Sequence, residues 1–355
     1  MTRHNHIDLW KFIMAIAVVA IHTRPLINLK GSIVLDFFNL FISMAVPFFF
    51  MTSGYLLWSR IDGFSADEKN SVLCVRAKSV GKMYAIWTLI YFPLALMPYM
   101  MVNVQEYEKI SPLKFIIYYV RGVILRGQNY NSYPLWYLLS LFYIILLLIA
   151  LEKLHLSDKW ILSILIIVGI IGNIINGLVQ IETSNTLLLM IKKAVTVTVL
   201  DGRILSGALY IAVGIIVAKR RKIHLESSII INTIYGLGVI IGFIANLRIN
   251  NTWGSMILTI YSSVCFFSVI EGINISNNNI YAKLRSISTT MYLTHMYVWT
   301  IFYMIVYGDK TFGMESFAAT VVGTLLIGIA FLMVQNKKFH QRDLKDNNKR
   351  NMEGS

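Results

Sequence analysis

Charge is scarce in this chain: 14% of its 355 residues are Asp, Glu, Lys or Arg, against 56% hydrophobic, where soluble domains carry about a quarter charged residues. That shortage excludes an ordinary soluble domain. Cysteine is scarcer still. Cys74 and Cys265 stand far apart without metal-ligand spacing, which excludes a disulfide framework and a structural zinc site. No glycine-rich phosphate loop, HExxH or GxSxG stretch occurs, so the chemistries those motifs carry have no footing. Nor is there a visible inverted repeat of the kind many secondary transporters carry.

What the sequence does have is apolar runs of roughly 18 to 22 residues, each long enough to cross a hydrocarbon core of about 30 Å as a helix. Unsatisfied backbone groups are costly in lipid, so the pattern predicts an all-α polytopic bundle rather than a barrel. Spans are expected near 7–28, 33–58, 83–103, 133–151, 160–181, 204–218, 226–247, 254–271, 287–307 and 316–335, about ten crossings, with a shorter helix at 113–126. The first run is too long, and too poorly followed by a cleavage site, for a removable signal peptide. Membrane domain 1–336 and basic tail 337–355 are the expected divisions.

The formal charge of +14 raises nucleic acid as a partner, but topology explains it better. Arg60, Lys69, Arg76, Lys78, Lys82, Lys153, Lys159, the run "KRRK" at 219–222, Lys283, Arg285 and the tail all fall on segments inside the cell if both termini are cytoplasmic. No nucleic-acid partner is expected. The basic tail reads as a flank against anionic membrane lipid.

Ionisable residues within spans are rare, because each costs at least about 2.5 kcal/mol at a helix centre, and they usually face a bundle interior or a wet cavity. Lys11 and His22 lie eleven residues apart, which puts them on one helix face roughly 16 Å apart. The bland reading is a lysine that snorkels and a neutral histidine bonded to a neighbour. The functional one is an imidazole that takes a proton from a hydroxyl near neutral pH. In "SISTTMYLTHMYVW", Ser288, Tyr292 and His295 follow i, i+4, i+7 spacing, so a hydroxyl, a phenol and an imidazole share a face near the cytoplasmic end of their span. A polar seam that only joins helices is the alternative.

"AVPFFFMTSGYLLWSR" carries Pro47, Ser53 and Gly54, which suit a kinked helix at a cavity wall, or plain close packing. The loop expected after it holds "VRAKSVGKMY", whose Arg76, Lys78 and Lys82 fit both topology and the phosphates of an anionic cofactor. In "RGQNYNSYPLWYLLSLFY", Trp136 reads as a membrane-belt aromatic or, with Arg126, Asn129 and Tyr130, as the rim of a pocket for a polar acceptor. Asp201 and Arg203 in "LDGRILSG" form either a structural ion pair or part of that rim.

"IDLWKFIMAIAVVAIH", "VPFFFMTSGYLL", "VRAKSVGKMY", "PLWYLLSLF" and "SISTTMYLTHMYV" occur here in the order seen in the acyltransferase-3 family of integral membrane acyltransferases, and the likeness runs from residue 7 to about 335. The resemblance implies about ten membrane helices in the cytoplasmic membrane. It also implies transfer of an acyl group, usually acetyl, from cytoplasmic acyl-CoA to a hydroxyl of an envelope glycan or lipid-linked sugar. It marks the first-helix histidine, His22, as essential, with a basic residue eleven positions earlier. That residue is usually arginine, and Lys11 keeps the charge but loses the bidentate fork. "VVAIH", "AVPFFFMTSGY" and the "LDG" before Arg203 further resemble the membrane half of the serine racemases of vancomycin-resistant bacteria. Those continue into a pyridoxal-phosphate racemase domain, which is not expected here, and their membrane half is thought to handle L-serine.

The resulting expectation is an O-acyltransferase with acetyl-CoA as co-substrate and no metal. Arg76, Lys78 and Lys82 would hold the donor's phosphates. His22 would act as base or acyl carrier, aided by Lys11, Tyr292 and His295, while Ser53, Gly54, Arg126, Trp136, Asp201 and Arg203 would shape the acceptor pocket. An L-serine transport module is the rival.

Overall fold

The structure, a computed structural model, describes residues 4–104, 111–129, 131–198, 202–223, 229–249, 251–304 and 312–353. Every regular element among them is helical. In chain order these are α1 (Asn5–Thr23), α2 (Ile33–Ser43), α3 (Ala45–Ile61), α4 (Ala66–Val104), α5 (Pro112–Arg121), α6 (Leu135–Lys153), α7 (Asp158–Gln180), α8 (Thr186–Thr198), α9 (Arg203–Ile223), α10 (Ile229–Arg248), α11 (Thr252–Glu271), α12 (Ile280–Phe302) and α13 (Met314–Glu353).

Helices stand at all ten expected span positions, and eight helical segments among the described residues are long and apolar enough to cross a membrane. The chain is a multi-pass membrane protein. α9, which ends in a basic run, and α12, rich in Ser, Thr and Tyr, are outside those eight. Both are packed between other helices: α9 against α3, α6 and α7, and α12 against α1 and α13. A helix screened from lipid by its neighbours can carry more polar residues than one that meets acyl chains.

Several expected boundaries need correcting. α1 stops at Thr23 rather than 28, because Arg24 turns left-handed (φ 47°) and returns its N–H to the Ala20 carbonyl just before Pro25, which cannot continue a helix. The span expected over 33–58 is broken at Met44, and Pro47 falls in the first turn of α3, where a missing N–H costs nothing. "VRAKSVGKMY" belongs to the long helix α4 instead of a loop. Helix α8 occupies a stretch expected as loop, and α13 runs on through the expected tail to Glu353.

The chain forms two compact units, residues 1–35 with 274–355 and residues 36–273. In the first, α1 and α12 run parallel: Asn5 Nδ2 donates to the Ser276 carbonyl and to Asn277 Oδ1, both at 3.2 Å, and Asp8 pairs with Arg285 at 3.7 Å. α13 returns antiparallel along α12, with Gly323 against Val298 and Gly328 against Ile287. Its start docks on the end of α1, where the Gly313 N–H bonds the Thr23 carbonyl at 2.9 Å.

In the second unit α9 is the centre. A methyl added at Gly54 would strike the Ile211 carbonyl, and one at Gly214 the Met51 carbonyl, so these small residues let α3 and α9 approach backbone to backbone. One end of this unit is tied by charge. Lys69 meets Asp158 at 3.0 Å and Glu152 at 3.3 Å, Lys219 also pairs with Asp158, and both ammonium groups lie over the Trp58 ring at 4.9 and 5.7 Å. Beside them Arg221 bridges Glu271 at 2.6 Å and the Tyr55 hydroxyl at 2.8 Å.

Candidate active site

On α1 the stripe Lys11, Ala15, Val18, His22 follows helical spacing, and its two middle members are buried. The stripe faces the bundle, with Lys11 and His22 half-buried at either end. His22 lies in the last turn of α1, not at mid-helix.

His295 is fully buried on α12, at 0% exposure, and its ring centroid is 5.2 Å from that of His22, the planes tilted by 33°. The parallel run of α1 and α12 thus brings the two imidazoles together at the C-terminal end of α1, away from the start of α12 where the spacing had suggested. The Nδ1 atom of His295 lies 2.8 Å from the Tyr292 carbonyl and 3.2 Å from that of Met291. Carbonyl oxygens only accept, so Nδ1 carries the proton and Nε2 keeps the lone pair. Nε2 is buried without a hydrogen-bond partner among the described residues. The Tyr292 ring, itself buried, is 6.2 Å from that of His295.

The other polar side chains of this seam are satisfied within their own helices. Ser288 donates to the Arg285 carbonyl, Thr300 to Met296, Thr320 to Ser316 and Thr324 to Thr320. Ser316 is the exception, with a buried Oγ that has no partner among the described residues. It sits three residues past Gly313, whose N–H holds the carbonyl next to His22. Sequence reading passed over Ser316, although Ser316, Thr320 and Thr324 repeat at i, i+4, i+8 and mark a polar face.

The remaining nominated residues belong to the second unit. Arg76, Lys78 and Lys82 are exposed on α4. At 100° per residue, Lys78 and Lys82 share one face, and Arg76 points about a third of a turn or more away from both. Ser53 and Tyr137 join hydroxyls at 2.8 Å, and the Tyr137 hydroxyl also lies 3.3 Å from the Phe49 carbonyl. Arg203 stands over the Trp136 ring at 5.9 Å. Ser53, Trp136 and Arg203 therefore share the region where α3, α6 and α9 meet, while Gly54 is taken up by the backbone contact with Ile211. Arg126 ends a π-helical turn, Gly122–Arg126, and is exposed. Asp201 and Tyr130 lie outside the described residues.

Beneath that turn a small cavity opens among Tyr84, Tyr91, Tyr119, Thr88 and Gln128. The Thr88 hydroxyl and the Gln128 side-chain Oε1 are buried there without hydrogen-bond partners among the described residues, which suits one ordered water. Among the described residues no group of three His, Cys, Asp or Glu gathers closely enough to hold a metal ion.

No solved structure matches the chain. Curated relatives include two amino-acid racemases of Enterococcus faecalis. One is 32% identical over 180 residues, 50% of this chain and 23% of that protein, and the other 40% identical over 100 residues, 27% and 14%. A serine/alanine racemase of Enterococcus gallinarum is 31% identical over 183 residues, 50% of this chain and 24% of the relative. The similarity to each thus spans less than a quarter of the relative's own length. An acyltransferase domain model, by contrast, matches residues 4–333, which take in α1, α12 and the first half of α13. With nearly its whole length and its membrane helices inside that match, the chain belongs to the acyltransferase-3 family.

Proposed function

We propose that this membrane acyltransferase moves an acetyl group from acetyl-CoA at the cytoplasmic membrane to a hydroxyl of an envelope glycan or lipid-linked sugar. The observation that carries the reading is the inward-facing imidazole of His22, 5.2 Å from a second imidazole with an open ring nitrogen, in a chain whose family transfers acyl groups. A neutral imidazole in that place does one of two things. As a base it accepts the acceptor hydroxyl's proton while the oxygen attacks the thioester carbonyl and the CoA thiolate departs. As a nucleophile it takes the acetyl group on nitrogen first and passes it to the hydroxyl in a second step. Tyr292 supplies a phenol beside the pair, suited to the oxyanion that forms in either route. Lys11, on the same stripe, adds a cation on the way along α1.

For the donor, Lys78 and Lys82 are the pair on one exposed face, and their ammonium groups match the phosphates of CoA as point charges. Arg76 would contribute from a neighbouring face. For the acceptor, Ser53, Trp136 and Arg203 combine a hydroxyl, an aromatic face and a cation, a set that suits a sugar ring, and Arg126 and Asp201 remain candidates for the same role.

The test is release of CoA by purified protein given acetyl-CoA and glycan. His22→Ala should abolish it while the variant stays folded and monodisperse, and retained transfer defeats the reading. A second reading rests on the curated relatives, whose names assign them to amino-acid and serine/alanine racemases: the membrane helices handle L-serine. Saturable serine flux into proteoliposomes without acetyl-CoA would favour it.

A further inference from the structure

His295 holds its position in an unusual way for a residue that merely fills a seam. The seam's threonines and Ser288 donate to their own helix backbone. His295 spends only Nδ1 that way. A buried polar atom left without a partner costs about 1 to 3 kcal/mol, so the open Nε2 atom calls for an explanation, and the nearest ring to it across the helix contact is that of His22.

We propose that His295 is a positioning residue for His22: its Nε2 lone pair accepts the N–H of the His22 imidazole, directly or through one water, and so fixes which His22 nitrogen remains basic. Three observations support this. The Tyr292 and Met291 carbonyls lock the His295 tautomer and aim its lone pair off the helix. An in-plane hydrogen bond between two imidazoles sets their centroids about 5 Å apart, close to the 5.2 Å found here. A modest rotation of the half-buried His22 ring, or one bridging water, then closes the contact. Ser316 Oγ, a second buried and unpartnered polar atom, starts the helix docked on the end of α1, which marks this corner as one that holds a polar occupant. The arrangement does with a neutral ring what a carboxylate does in a hydrolase triad: it orients the working imidazole without entering the reaction. When His22 takes a proton on its outer nitrogen, the charge is shared along the His22 N–H to His295 contact, and no proton need pass to His295.

The inference rests on the reading of His22 as the group that meets the acyl donor or acceptor, but its test is separable from that reading. Protein carrying ¹⁵N-histidine is prepared in lipid nanodiscs, with the His22 signals assigned by their loss in His22→Gln. The ring-nitrogen shifts report the tautomer directly. Intact protein should show one dominant His22 tautomer. His295→Leu should give a mixture of the two, and His295→Gln, whose amide oxygen reaches toward the Nε2 position, should restore a single form. In the transfer assay His295→Leu should lose about 100-fold in kcat with KM little changed, and His295→Gln should recover most of it. Unchanged His22 shifts in a folded His295→Leu protein overturn the proposal whatever the activity does. Altered shifts in a system where intact protein transfers no acyl group would leave the pairing standing and sink the acyltransfer reading instead.

Discussion

The two compact units of this protein solve the same problem, burying polar backbone and side chains away from water, in opposite ways. The unit centred on α9 brings helices together through glycines. Gly54 and Gly214 leave no room for a methyl between α3 and α9, and at one end Lys69, Lys219 and Arg221 each stand beside a carboxylate. The unit of α1, α12 and α13 instead keeps hydroxyls and imidazoles in its interior. Buried polar atoms without partners among the described residues occur in both units, Thr88 Oγ1 and Gln128 Oε1 in the one and His295 Nε2 and Ser316 Oγ in the other, but in the unit of α1, α12 and α13 one of them is an imidazole nitrogen. Dense packing and paired charges serve stability. An open, buried ring nitrogen costs stability, and in a family that moves acyl groups it is a candidate for chemistry.

If that contrast is sound, added volume should hurt the first kind of core most. Gly54→Leu drives a side chain into the Ile211 backbone, which cannot step aside as a flexible side chain would. A cost above about 4 kcal/mol is expected, read as loss of monodisperse protein on size exclusion. In the other unit, His22→Gln should do the reverse. Transfer should fall about 10³-fold, roughly 4 kcal/mol of barrier, while the thermal unfolding midpoint in detergent moves by no more than a few degrees. A large drop in that midpoint would assign His22 to the packing and remove the contrast.

Much of this was legible in the chain. The apolar runs marked every long helix, because a residue facing lipid must be apolar and a run of such residues is visible without knowing its neighbours. The polar positions His22, Tyr292 and His295 stood out for the same reason in reverse. Boundaries were legible only where local chemistry sets them. Pro25 was on view, yet the run of apolar residues beyond it hid the end of α1. What sequence could not give was pairing across helices. Nothing in "VVAIH" says that α12 runs parallel to α1, so the level at which His295 meets His22 had to come from coordinates. Gly54 was read as cavity wall or packing, and only Ile211, far along the chain, decides which. Lys69, Glu152, Asp158 and Lys219 lie on four different helices, and their network has no sequence signature beyond an acidic residue at the end of an apolar run.

That network gives the next sharpening. Lys69 and Glu152 are both buried, and removing one partner of a buried ion pair leaves the other uncompensated. Lys69→Met should therefore cost about 3 kcal/mol, seen as a fall in the thermal midpoint, even though Lys219 still faces Asp158. The double variant Lys69→Met with Glu152→Leu should recover most of the loss, since neither charge is then stranded. Failure to recover would mean that Asp158, not Glu152, is the group Lys69 holds.

The smallest effect tests the polar unit from its satisfied side. Thr320 is fully buried on α13, and its hydroxyl donates to the Ser316 carbonyl at 2.7 Å within the same helix. Thr320→Val keeps the shape and removes a donor whose acceptor carbonyl also serves the α-helical ladder, so no buried group is newly orphaned. A change within about 0.5 kcal/mol is expected, with transfer activity intact. The same exchange at Ser316, Ser316→Ala, removes a hydroxyl that has no partner to lose, and should leave stability equal or slightly higher. If it instead lowers transfer while stability holds, Ser316 belongs with the imidazole pair, and the corner at the end of α1 extends to a third residue. If Thr320→Val destabilises by 2 kcal/mol or more, the hydroxyls of this seam bond across helices after all. The polar unit would then be held together by the very groups read here as incidental to its packing.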